Sequence, residues 1–344
     1  MKPLVSILIP AYNAEAWISD TLRSAVAQTW EPKEIIVVDD GSTDGTLAVA
    51  RQFESETVRV VTQKNQGAAA TRNAAFSLCK GDYIQYLDAD DLMGPEKIAS
   101  QMEALGQSPD KRTLLSGSWG NFMYRYYRTK FIPSALWCDL SPVEWLLRKM
   151  RLNLYMQTAS WLVSRELAEA AGPWNTRLLG DDDGEYFCRV LLASSGVRFV
   201  PGARVYYRAS GPGSLSYIGH SDKKALAQWH SMELHINYIR SLEDSPRVRD
   251  ACVTYLQNWL FFFYPERPDL VRQAEEMAAS LGGTLQPPKL SWKYSWIAAL
   301  FGRQQAKRAQ IVLPRMKWSL IRRWEKTLFQ IEGRKFDEGF LKSA

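Results

Sequence analysis

The first hundred residues alternate between two periods. "LVSILIP" is an apolar run interrupted only by Ser6, and it predicts a buried strand. "EAWISDTLRSAVAQTW" then places Ile18, Leu22, Ala25 and Val26 at helical spacing. "KEIIVVDD" predicts a second strand and runs into "GSTDGT", whose Ser, Thr and Asp supply caps for the helix "TLAVARQFES". "VRVVTQ" is a third strand and "GAAATRNAAFSLC" a third helix. "DYIQYLD" is a fourth strand, followed by "GPEKIASQMEALG", with Pro95 suited to a first helical turn. "TLLSGSWG" predicts a fifth strand. Strands alternating with helices imply an α/β, Rossmann-like fold with a mostly parallel sheet flanked by helices.

The pattern changes further along. Residues 119–155 are rich in aromatic and basic residues and show no strand alternation. "QTASWLVSRELAEAAG" reads as a strand and then a helix, and "GDDDGEYFCRVLLASSG" as an acidic turn entering a helix. "VRFVP" and "ARVYYR" read as two short strands. From about Ser221 the pattern is helical, with Trp and Phe at many positions. The chain therefore divides into an α/β part, residues 1–217, and a helical C-terminal extension, residues 218–344.

In parallel sheets, ligands bind beyond the carboxyl ends of the strands. Those ends here carry "PAYN", "DDGSTD", "TQKNQG" and "DADD". Asp88, Asp90 and Asp91 crowd three carboxylates that repel one another. A hard divalent cation shared with a diphosphate offsets that repulsion; a solvated turn with capping aspartates is the plainer reading. Asp39 and Asp40 can accept hydrogen bonds from a base or ribose, or simply cap a turn. Gly67 opens a helix whose N-terminus, with Arg72, can face phosphate; its small residues serve helix packing equally well. "GDDDGEYF" can supply a general base, or Asp181 or Asp182 can cap the helix that contains Arg189.

Composition narrows the classes. The 344 residues are 46% hydrophobic and 23% charged, enough for a real core and against general disorder. Cys79, Cys138, Cys188 and Cys252 are scattered without a metal-binding spacing, which fits a reducing compartment. His230 and His235 are five apart, and with His220 they give no histidine-based zinc pattern. The opening apolar run is short for a secretory leader, and "WLFFFYP" and "YSWIAALF" are far short of a membrane span. A cytoplasmic protein is the expectation.

The net charge of +6 is uneven: from Lys289 to Ala344 there are 13 Lys+Arg against 4 Asp+Glu. "RMKWSLIRRWEKTLFQI" sets Trp318, Ile321, Trp324, Leu328 and Ile331 near one helical face, with Arg315, Arg322, Arg323 and Lys326 largely away from it. Two readings follow: a helix lying on an anionic membrane at its inner face, or one packing its apolar face on the α/β part.

Together, "VSILIPAYNAEAWI", "EIIVVDDGSTDGT", "NQGAAATRNAA" and "GDYIQYLDADD", in this order, resemble family 2 glycosyltransferases. The match is strong over about residues 3–105. It continues more loosely through "ASWLVSRELAEAAGPWN" and "DDDGEYFCRV" to "YYRASGPGSLS". The resemblance implies an inverting enzyme of the GT-A fold that uses a nucleotide-sugar, UDP-linked in first place, with Mn²⁺ or Mg²⁺. Residues 1–118 would then bind the nucleotide-sugar and 119–217 the acceptor, a glycan or a lipid-linked sugar in polysaccharide biosynthesis.

The resemblance also implies roles. Pro10, Ala11, Tyr12, Asn13 and Glu15 would line the nucleotide pocket, with Tyr12 near the base and Asp39 paired with it; Asp40 stands at the same strand end. Gly67 and Arg72 would border the phosphates. Asp88 and Asp90 match the metal and ribose aspartates, Asp90 being the direct metal ligand. The family carries Glu-Asp where this chain has Asp182-Asp183. Counting back from Arg189 favours Asp183 as the base, with Asp182 its competitor. A nucleotidyltransferase is the alternative, but "PAYNAEAW" lacks its glycine- and basic-rich loop. A non-catalytic nucleotide-sugar-binding protein is a second alternative. The acidic crevice argues against nucleic acid.

Overall fold

A computed structural model describes residues 2–106, 110–209 and 221–332. The elements run β1 (Val5–Ala11), α1 (Ile18–Val26), β2 (Lys33–Asp39), α2 (Thr46–Arg51), β3 (Val58–Thr62), α3 (Ala68–Leu78), β4 (Tyr83–Tyr86), β5 (Leu92–Met93), α4 (Lys97–Leu105) and β6 (Thr113–Phe122). There follow α5 (Pro142–Leu152), β7 (Val163–Ser164), α6 (Arg165–Ala171), α7 (Asp182–Ala193) and β8 (Gly196–Arg208). The C-terminal helices are α8 (Asp222–Leu242), α9 (Pro246–Phe263), α10 (Pro268–Ser280), α11 (Ser295–Phe301) and α12 (Arg303–Glu332).

The main sheet has the order β3-β2-β1-β4-β7, parallel except for β7. Successive side chains of β1 enter opposite layers: Val5, Ile7 and Ile9 join one apolar cluster, Leu8 the other. Burial on both faces explains why the strand reads as a nearly unbroken apolar run. The cluster containing Leu8 extends through α5–α7 to Trp229, Met232, Tyr255 and Leu281. Helices α8–α10 therefore share a core with the sheet. Val26 departs from its helical expectation: Ile18, Leu22 and Ala25 are buried, but Val26 is exposed.

A second sheet, β5-β8-β6, accounts for most of the other departures. "TLLSGSWG" belongs to β6 there, not to the main sheet. "VRFVP" and "ARVYYR" form one strand, β8, because Pro201–Ala203 bulge outward where the register shifts opposite Gly117 and Ser118. "QTASWLVS" gives a single turn, Thr158–Ser160, and only two strand residues. Residues 119–155 contain α5, whose start is marked by Ser141, accepting from the Glu144 N–H, and by Pro142 in the first turn. The Gly-Pro-Gly-Ser stretch after Ala209 and the last twelve residues lie outside the described residues.

Candidate active site

The strand ends meet as the alternation requires, but their carboxylates divide between holding the protein and facing the crevice. Asn13 Oδ1 accepts from Thr43 N at 2.8 Å, and Glu15 Oε2 from Gly45 N at 2.9 Å. These two side chains lock the loop after β1 to the loop after β2. Tyr12, just before Asn13 and beyond Pro10 and Ala11, is exposed. Asp40 is likewise committed to the protein: it accepts from Gln63 Nε2 at 2.8 Å, Gln66 N at 2.9 Å and Gly67 N at 2.8 Å. It fixes the approach to α3, where Gly67 holds a positive φ of 90° that a side chain would strain.

Asp39 differs. Its Oδ2 accepts from the Thr62 hydroxyl at 2.9 Å and Ser42 N at 3.3 Å, while its buried Oδ1 has no hydrogen-bond partner in the protein. A buried anionic acceptor left unpaired is costly, so this oxygen is set to receive an N–H from a ligand.

Arg72 was expected to border phosphates. It joins the two acidic clusters. Nη2 donates to Asp88 Oδ1 at 2.7 Å and Nη1 to Asp182 Oδ2 at 2.8 Å. The guanidinium lies 4.5 Å from the Trp174 ring, whose backbone is gripped on both sides by the Asn73 amide. Burial works against the Arg72 charge, but Asp88 and Asp182 outweigh it and raise its pKa.

Within "DADD", Asp91 is structural. It is fully buried and accepts from Arg208 N at 2.8 Å and Gln157 Nε2 at 2.5 Å. Arg208 Nε also donates to the Asp90 carbonyl at 2.7 Å, so the end of β8 holds the motif from behind. Burial, then the charges of Asp90 and Asp88, push Asp91 well up. Asp88 and Asp90 are half-buried at the crevice. Among the described residues no group of three or more His, Cys, Asp or Glu is placed to hold a metal alone. Asp88 and Asp90 nonetheless fit Mg²⁺ or Mn²⁺, which characteristically takes one or two carboxylates and completes its shell with phosphate oxygens and water.

The second cluster separates into three roles. Asp181, with φ 56°, precedes α7 without a side-chain capping bond; its Oδ2 accepts from Ser231 at 2.5 Å. It lies 3.9 Å from His235, but burial lowers His235 to about 4, so that contact is no ion pair near neutrality. Asp182 is paired to Arg72. Among the described residues Asp183 makes no ion pair: Oδ2 accepts from the Thr158 hydroxyl at 3.2 Å and Oδ1 from Gly184 N at 2.9 Å. Burial, then the charges of Asp182 and Asp181, raise it to about 7. That is the range in which a carboxylate accepts a proton well. Arg189 is turned away, holding Glu185 at 2.7 Å and the Pro173 carbonyl at 2.8 Å.

A narrow slot opens beside Asp183, walled by Trp145, Lys149, Tyr155, Trp161 and Phe187. Sequence reasoning assigned none of these, nor Thr158, Trp174 or Arg208. Trp174 and Arg208 lie in the loosely matching segments "GPWN" and "YYRAS", the signal available for them; α5 offered only its Ser-Pro start.

Residues 6–156 match the model for glycosyl transferase family 2. The matched stretch, under half of the chain, is similar to that family. Among relatives of the chain, TuaG of Bacillus subtilis (strain 168), named for teichuronic acid biosynthesis, is 43% identical over 105 residues, 30% of this chain and 42% of that protein. A UDP-Glc:alpha-D-GlcNAc-diphosphoundecaprenol beta-1,3-glucosyltransferase of Escherichia coli is 42% identical over 102 residues, 29% of this chain and 40% of that one. The chain spans under half the length of the first relatives it matches. S. aureus TarS 1–349 in complex with UDP-GlcNAc shares the chain's fold with a TM-score of 0.53 at 20% identity, covering 82% of this chain and 89% of that one. A mannosyltransferase of Pyrobaculum calidifontis in complex with GDP-Man and Mn²⁺ does so with a TM-score of 0.52 at 18% identity, covering 94% and 85%. The GT-A architecture is thereby shown.

Proposed function

We propose that the chain is an inverting glycosyltransferase that moves a sugar from a nucleotide-sugar, a UDP-sugar in first place, to an acceptor hydroxyl. One observation carries this reading: Asp183, raised to about 7, follows directly on Asp182, which lies across Arg72 from Asp88. A proton acceptor and a diphosphate-binding pair thus face one crevice from two sides.

In this mechanism Asp39 Oδ1 accepts an N–H of the base, and Tyr12 flanks it. Arg72 keeps Asp88 and Asp182 in place, so neither swings toward the acceptor. Thr158 and Gly184 N–H aim the Asp183 carboxylate, which takes the proton from the acceptor hydroxyl as its oxygen attacks the anomeric carbon. A single displacement through an oxocarbenium-like transition state inverts the configuration. Asp90 and Asp88 would hold Mn²⁺ or Mg²⁺, which would supply positive charge to the departing nucleoside diphosphate.

The acceptor is a glycan or a lipid-linked sugar in polysaccharide biosynthesis; the Escherichia coli relative, named for a diphosphoundecaprenol-linked acceptor, supports that class. Beside Asp183 the exposed Tyr155 offers an aromatic face that suits the C–H surface of a sugar ring. A cytoplasmic setting is in keeping with four cysteines that are all free. The test is release of nucleoside diphosphate by the purified chain with Mn²⁺ across a panel of nucleotide sugars and acceptors. Binding of every donor without transfer would leave a non-catalytic binder, and pyrophosphate turnover would point to a nucleotidyltransferase.

A further inference from the structure

The C-terminal helices leave an apolar surface open. On α12, residues 313, 316, 320, 324 and 331 recur at helical spacing and lie on one side. They are Leu313, Met316, Leu320, Trp324 and Ile331, and all are exposed, Leu320 by 65%, Trp324 by 64% and Ile331 by 74%. Residues 292–301, packed against α12, add Trp292, Trp296, Leu300 and Phe301, with Trp292 exposed by 79%. Single exposed apolar residues are ordinary; a continuous ridge of them is not. The alternative that this helix packs its apolar face on the α/β part is therefore overturned. Of the five positions singled out for that face, only Leu328 is half-buried, while Trp318, Ile321, Trp324 and Ile331 are exposed.

The charges are sorted by side. Between residues 289 and 332 there are ten Lys+Arg against two Asp+Glu. Both acids face the protein: Glu325 pairs with Arg125 at 2.6 Å and Glu332 with Arg125 at 2.7 Å. Lys317, Arg323 and Lys326 are exposed and flank the ridge; the Arg315 side chain lies outside the described residues. Among the described residues the outward surface thus presents apolar and cationic groups and no carboxylate. Two copies meeting through it would oppose like charges. A surface that is negative and apolar a few ångströms deeper is the complementary one.

The helix is also fixed to the body at both ends. Lys307 Nζ donates to the Tyr264 carbonyl at 2.5 Å near its start. Near its end Phe329 lies 6.2 Å from Tyr124, which lies 5.7 Å from Trp17. Trp17 in turn lies 4.2 Å from Arg208, the residue behind "DADD". A chain of side-chain contacts therefore joins the open surface to the crevice.

We propose that residues 289–332 form a docking surface for an anionic phospholipid bilayer, with Trp324, Leu320 and their neighbours inserted among the acyl chains and Lys317, Arg323 and Lys326 on the headgroups. Docking holds the crevice beside the bilayer, where a lipid-linked sugar would be reached. The inference is independent of the proposed chemistry, because binding is read without turnover.

The experiment is co-sedimentation of the full chain with vesicles of phosphatidylcholine alone or mixed with phosphatidylglycerol, at low and high salt. The chain binds the mixed vesicles, and binding weakens as salt screens the charges. Leu320→Ser/Trp324→Ser lowers binding by at least about tenfold. Lys317→Gln/Arg323→Gln/Lys326→Gln lowers it about fivefold for each charge removed, on anionic vesicles only. All five side chains are exposed, and circular dichroism confirms that the variants remain folded. The proposal is overturned if the intact chain fails to bind mixed vesicles at low salt, or if the Leu320/Trp324 variant binds as the parent does. It is equally overturned if sedimentation shows a dimer that this variant dissolves in the absence of lipid, since a second copy would then cover the ridge.

Discussion

Arg72 donates to Asp182 Oδ2 at 2.8 Å, while the adjacent Asp183 meets only the Thr158 hydroxyl and the Gly184 N–H. Two neighbouring carboxylates of the same kind are thereby given different work. A carboxylate paired with a buried guanidinium is held back from accepting a proton, although burial raises Asp182 as well. One raised by burial and by its acidic neighbours accepts readily.

Removing each carboxylate in turn separates the roles. Asp183→Asn is expected to lower turnover on the order of 10²-fold or more, with donor affinity nearly unchanged. Asp182→Asn leaves the buried Arg72 with one carboxylate instead of two and costs about 2 kcal/mol of stability. Turnover at saturating substrate and thermal unfolding, measured for both variants, check the pair. Full turnover in Asp183→Asn with loss in Asp182→Asn would move the base by one residue.

The pH dependence has a definite sign. Asp183 must be ionised to accept a proton, and it is raised to about 7. Turnover should rise with pH through that region, and the acidic limb should vanish from the residual rate of Asp183→Asn. Folding responds in the opposite direction. A carboxylate whose folded pKa lies above its unfolded value binds more protons when folded, so its contribution to stability declines as pH rises from about 4 toward about 7. Denaturant midpoints across that range should fall less steeply for Asp183→Asn than for the parent.

Asp39 gives a prediction about the donor alone. Its Oδ1 is buried and unpaired in the protein, so a base N–H bonded there would make a charge-assisted contact. Asp39→Asn is expected to weaken nucleoside diphosphate binding by roughly 10- to 100-fold, in line with hydrogen bonds to charged groups. The test is calorimetric titration with UDP. Unchanged affinity would remove Asp39 from the base site.

Asp90→Asn keeps shape but replaces an anionic ligand with a neutral amide. Transfer should nearly vanish, and the Mn²⁺ concentration needed for donor binding should rise. Wild-type transfer with unchanged metal dependence would exclude Asp90 as the ligand.

The sheet was legible because β1, β2 and β4 are buried on both faces and write that burial as apolar runs. The second sheet was not: β5 has two residues, and β8 contains a Pro-Gly bulge that reads as a strand end. The strand-end carboxylates were legible as a set but not by orientation. Asp39 and Asp40 are adjacent and chemically alike, yet Asp40 is saturated by the 63–67 loop and Asp39 is not. Arg72 read as a phosphate ligand because its two carboxylate partners come from distant segments that periodicity cannot bring together. The slot beside Asp183 was hidden for the same reason: Trp145 and Lys149 on α5 meet Asp183 only after α5 packs against α7.

The most direct measurement follows the anomeric carbon. The chain is incubated with Mn²⁺, an acceptor and the donor that supports nucleoside diphosphate release, and the product's anomeric configuration is read by proton NMR for the parent and for Asp183→Asn. The account predicts a β-linked product from an α-linked donor with the parent, formed on the order of 10²-fold more slowly by the variant. Retained configuration, or a variant as fast as the parent, would contradict it.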